Sequence, residues 1–137
     1  MRRAFLLTAV LAGVTATASA QGIKLADVAG VWDGKTMVGP KDSVATTTVM
    51  TMTADGKGWT ITFPGRKDAV PVRVVTSGGD SIVSEAGPYP SVLRPGQTVK
   101  LLRITGHFKG AEMWGTFVAE YGDGGKGSGK ISATRRK

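Results

Sequence analysis

Val44-Ala45-Thr46-Thr47-Thr48-Val49-Met50-Thr51-Met52-Thr53, then Ala54-Asp55-Gly56-Lys57-Gly58, then Trp59-Thr60-Ile61-Thr62-Phe63 reads as two strands joined by a tight turn. Trp59, Ile61 and Phe63 alternate with Thr60 and Thr62, the period of two that a strand shows between core and solvent. Val44, Thr46, Thr48, Met50 and Met52 fall on one side of the preceding run. Asp55-Gly56 suits the connection because it accommodates the positive φ values of a tight turn.

The same grammar continues in both directions. Upstream, residues 31–38 form a candidate strand stopped by Gly39-Pro40. Downstream, residues 70–75 set Val70, Val72 and Val74 opposite Pro71 and Arg73. Pro71 cannot donate a ladder hydrogen bond, which suggests a strand end, a bulge or a locally unpaired position. Ser77-Gly78-Gly79-Asp80 turns the chain and residues 81–86 return it, followed by candidate strands at 99–105, 112–121 and 130–134. Only residues 25–29 leave room for a helical turn. About eight strands at near-regular spacing, with 20 glycines for turns and bends, predict an all-β domain. An antiparallel up-and-down barrel of that number leaves no exposed edge and is the leading architecture; a β-sandwich is the alternative.

The chain begins with a basic head, Met1-Arg2-Arg3, an apolar run from Ala4 to Ala12, and the small-residue site Ala18-Ser19-Ala20. These are the three regions of a secretory signal peptide, so residues 1–20 are expected to be removed, leaving residues 21–137 as one exported domain, periplasmic or extracellular. The apolar run is shorter than the about 20 residues a membrane-spanning helix needs, and no transmembrane segment is expected. There is no cysteine, which excludes disulfides and thiol chemistry. Without Arg2 and Arg3, 16 basic residues face 10 acidic ones, a net charge of +6. Such a surface could attract acidic polymers or an acidic protein partner. No nucleic-acid partner is expected.

Gly30-Val31-Trp32, opening the first strand, resembles the Gly-x-Trp that starts calycin β-barrels (lipocalins, fatty-acid-binding proteins, avidins). In those families a basic residue near the last strand often lies across the indole, and Arg135 or Arg136 could take that place here. The resemblance implies barrel closure by Gly30, Trp32 and one of these arginines, through a cation–π contact of about 0.5–2 kcal/mol.

No motif assigns a reaction. Gly122-Asp123-Gly124-Gly125-Lys126-Gly127-Ser128-Gly129-Lys130 contains G-x-G-x-x-G and most of a P-loop. Ile131 stands where the P-loop needs Ser or Thr, and a strand follows where those motifs open a helix. The stretch reads as a flexible cationic hairpin. His107, the one histidine, falls in Gly106-His107-Phe108-Lys109-Gly110, which reads as a turn. No serine occupies a nucleophile elbow, and one histidine with scattered carboxylates makes a poor zinc set. No catalytic residue, metal or cofactor is assigned.

The expectation is a non-enzymatic barrel that binds a small apolar or amphipathic ligand, or a partner at its rim. Trp59, Phe63, Phe117 and Tyr121 are the candidate apolar wall, and Arg94 or Arg103 could meet an anionic head. The 87–96 loop carries three prolines, which stiffen it and present Tyr89, Ser91 and Arg94 with little entropy left to lose. The alternative is a structural or interaction module of the cell envelope drawn to acidic polymers or surfaces. Trp114, sent outward if Phe117 points inward, would then mark a contact surface.

Overall fold

The computed structural model describes residues 22–137; the signal peptide expected over residues 1–20 and its cleavage point lie outside them. A 3-10 turn at Leu25–Val28 leads into nine strands: β1 (Gly30–Val38), β2 (Ser43–Met52), β3 (Thr60–Thr62), β4 (Val70–Gly78), β5 (Ser81–Ala86), β6 (Tyr89–Pro90), β7 (Thr98–Lys109), β8 (Glu112–Tyr121) and β9 (Lys126–Arg135). Every pairing is antiparallel. The order runs β5-β4-β3-β2-β1-β9-β8-β7, and β5 pairs back onto β7, which closes an eight-stranded up-and-down barrel. The two-residue β6 adds to β7 beyond the end of β5. Closure pairs the β5 edge that an open sheet would expose. Among the described residues no helix is long and apolar enough to cross a membrane.

The alternating residues fill the interior. Met50, Met52, Trp59, Ile61, Phe63, Ile82, Leu102, Ile104, Met113, Phe117, Tyr121 and Ile131 are all buried in one cluster. Trp59 and Phe63 flank the short β3 and still point inward, with the Trp59 indole N–H donating to the Thr53 carbonyl at 2.8 Å. At the lower end Trp32 is 0% exposed. Its Nε1 donates to the Val28 carbonyl at 2.9 Å, so the 3-10 turn plugs the barrel there.

Two local expectations are corrected. His107 is not in a turn: β7 continues to Lys109, His107 pairs with Trp114 in the β7–β8 ladder, and Phe108 is buried. The flanking Gly106 is a strand glycine facing Gly115, and a Cβ on Gly115 would collide with the Thr105 carbonyl. The glycine-rich stretch at 122–130 is a hairpin only as far as Gly125, because Lys126 already begins β9. Gly129 lies so close to the Met37 carbonyl and the Phe117 ring that a side chain would strike both. In both cases glycine serves close approach of strands rather than a turn.

Candidate functional site

At the upper end, residues 89–96 fold over the barrel mouth. Tyr89 is buried and stacks on Phe63, with ring centroids 5.3 Å apart. Ser91 is also buried, its N–H donating to the Gln97 carbonyl at 2.8 Å and its Oγ accepting the Arg94 N–H at 2.9 Å. Arg66 donates to the Ser91 carbonyl at 3.1 Å from the other side. Thus the loop is held at three points, which leaves Val92, Leu93 and Arg94 at the rim.

Beneath it the interior is nearly full. A cavity of about 40 Å³ lies among Phe63, Tyr89, Val92, Phe117 and Tyr121. A second of about 20 Å³ lies lower, beside Trp59 and Met50. Ligand pockets run to roughly 300–1,000 Å³, so neither void accepts a lipid-sized molecule without moving the loop. Outside the loop, an open cleft of about 450 Å³ is lined by Val38, Ala45, Val92, Leu93, Arg94 and Tyr121 together with Gly127 and Ser128 of β9. Its size comes from the strand lengths: the β1–β9 ladder ends at Met37 and Lys130, so the first residues of β9 run on without a β1 neighbour.

Arg94 is the charged group of this cleft. Its guanidinium stands 4.2 Å from the centroid of the Tyr121 ring and donates to the Lys126 carbonyl at 3.4 Å. Among the described residues it forms no ion pair, whereas Lys130 is paired with Asp42 at 3.2 Å.

Of the residues singled out from the sequence, the fold gathers Phe63, Tyr89, Phe117 and Tyr121 around the upper void and sets Arg94 at its rim. Trp59 belongs to the lower void. Arg103 stands apart: it is exposed on the outer face of β7, its Nε donating to Glu85 at 2.8 Å. Val38, Val92 and Leu93 were missed. Val38 reads as an ordinary strand end, and only the barrel closure brings the 87–96 loop to it.

Several acidic side chains are taken up locally. Asp33 is bound by Arg136, whose hydrogen bonds hold its carboxyl below the usual carboxylate range. Asp55 is lowered by the Lys57 backbone N–H and the Thr53 hydroxyl. Asp80 lies 2.9 Å from Nδ1 of His107. Among the described residues no three His, Asp or Glu side chains gather as a metal-ligand set.

No protein-family model, curated protein or solved structure matches the chain.

Proposed function

We propose that the chain is an exported, non-enzymatic, calycin-like barrel that takes an amphipathic anion at its rim rather than deep in its interior. The observation that carries this reading is the contrast between an interior void of about 40 Å³ and an open cleft of about 450 Å³ beside Arg94, which has no ion-pair partner among the described residues. In this reading a short apolar tail lies against Val38, Val92 and Leu93. The anionic head meets the Arg94 guanidinium, which stacking on Tyr121 holds in place, so little side-chain entropy remains to be lost on binding. The calycin kinship rests on the lower end of the barrel. Gly30 has a φ of 141°, and a Cβ there would come within 3.0 Å of Arg135 Cδ. The Gly-x-Trp spacing therefore has a physical reason: glycine leaves room for the arginine that covers the indole.

The experiment is a fluorescence titration with a dansyl-labelled fatty acid. The expected result is a saturable signal that Arg94→Gln weakens about tenfold, the loss of one charge-assisted hydrogen bond. No saturable signal, or one indifferent to Arg94→Gln, would overturn the rim reading.

A further inference from the structure

Trp114 lies on the outer face of β8 with 44% of its surface open, whereas Trp32 and Trp59 are buried. The ladders place four outward residues in one row across four strands: His107 on β7, Trp114 on β8, Ser132 on β9 and Lys35 on β1. His107 stacks against the indole, with centroids 6.0 Å apart and planes 24° from parallel. It is steadied in turn by Asp80.

On the other side of Trp114 the next residue in the row, Ser132, is short. A trough therefore opens over β9, between the indole and the Lys35 and Asp33 side chains of β1. It holds about 310 Å³, is floored by Ser132 and Thr134, and has Glu112 on its border. Two strand spacings, about 10 Å, separate its walls, room for a ligand one ring thick.

We propose that this trough binds a neutral saccharide chain, one sugar ring lying face-on against Trp114. The indole requires a flat C–H face. The floor and far wall require an edge bearing both donors and acceptors: the Ser132 and Thr134 hydroxyls do both, Lys35 donates and Glu112 accepts. A pyranose ring has this construction, with C–H groups on its faces and hydroxyls around its edge. A purely apolar ligand would desolvate those polar groups and leave them without partners. An added peptide strand finds no free backbone, because β9 is already bonded to β8 and β1 along this stretch. An acidic polymer gains little, because the local charges balance: Arg136 is bound to Asp33, and the lining holds one further cation, Lys35, and one further anion, Glu112. The His107 stack and the ladder fix the indole beforehand, so binding loses little side-chain entropy.

The test is isothermal titration calorimetry of the protein with cellohexaose, chitohexaose and polygalacturonate. Cellohexaose or chitohexaose is expected to bind, with little change between low salt and about 0.5 M salt, because no net charge is neutralised. Trp114→Ala removes the stacking wall, and Ser132→Leu fills the trough while keeping the indole. Each is expected to weaken binding at least about tenfold while thermal unfolding stays near wild type, since both positions face outward. Three results would overturn the proposal: no heat with either neutral chain, binding by either variant as tight as that of wild type, or binding to polygalacturonate alone that salt removes.

Discussion

The Arg135 guanidinium stands 5.2 Å from the centroid of the Trp32 indole, and the two residues are direct partners across the β1–β9 ladder. The contact joins the first strand of the barrel to the last. Arg135 also donates to the Asp27 carbonyl at 2.9 Å and the Ala29 carbonyl at 3.3 Å, so one side chain covers the indole and ties down the 3-10 turn that plugs the lower end. Arg136, one residue on, points to the opposite face and pairs with Asp33 in solvent.

Arg135→Ala is expected to lower the unfolding free energy by about 1–3 kcal/mol, from the lost cation–π contact and the charge-assisted hydrogen bonds. Arg136→Ala, at an exposed ion pair that solvent screens, is expected to cost clearly less than Arg135→Ala. Arg135→Lys recovers only part of the loss, because an ammonium cannot cover the ring and reach two carbonyls as the planar fork does. Urea denaturation followed by tryptophan fluorescence checks all three. Equal losses at 135 and 136 would remove the distinction.

Gly115→Ala is expected to destabilise by about 1–3 kcal/mol or more, because the new methyl group would meet the Thr105 backbone carbonyl, which cannot swing away. Gly78→Ala is the matched control, since a Cβ there meets nothing within 4 Å and the backbone is not in the left-handed region. It should be neutral or slightly stabilising. Similar midpoints in a thermal melt would contradict the close packing of β7 on β8.

These glycines also explain what the sequence could and could not convey. Where a strand alternates large apolar and polar side chains, as at Trp59, Ile61 and Phe63 or along Glu112–Tyr121, the period alone sets its face. Glycine carries no such sign. Gly106 beside His107 and Gly127 and Gly129 in β9 look like the turn glycines Gly110 and Gly124, so β7 and β9 read several residues too short. The choice between Arg135 and Arg136 depended on register, which local pattern does not fix. Both clefts lie between elements distant in sequence: the rim joins Val38 to Leu93, and the outer trough joins Lys35 to Trp114. Neither could be read before the barrel was closed.

Ser91→Ala is expected to cost about 1 kcal/mol, the net worth of one hydrogen bond, with its clearest effect at the rim. The Ser91 hydroxyl accepts the Arg94 N–H, so that amide loses its partner and should show faster hydrogen exchange. The Ile61 and Ile104 amides in the barrel wall should keep their protection. Exchange followed by nuclear magnetic resonance decides the matter. Uniform acceleration across the barrel would mean that the loop is part of the global core rather than a locally anchored rim.

Tyr89 supplies a test in alkaline solution. Burial, and secondarily its closeness to Tyr121, lifts its phenol well above the ordinary 10.0. The folded protein therefore holds this proton where the unfolded chain releases it. The contribution is intact below the unfolded pKa of about 10 and is lost as pH rises beyond it, because ionisation then favours the unfolded state. Wild type is expected to lose stability more steeply than Tyr89→Phe above about pH 10. Phenylalanine keeps the stack on Phe63 and removes the ionisable hydroxyl. Urea unfolding of both proteins across that range measures the difference, with the other alkaline titrations common to the pair. Parallel curves would show that the Tyr89 hydroxyl reaches solvent and that the loop seals the mouth less tightly than its hydrogen bonds imply.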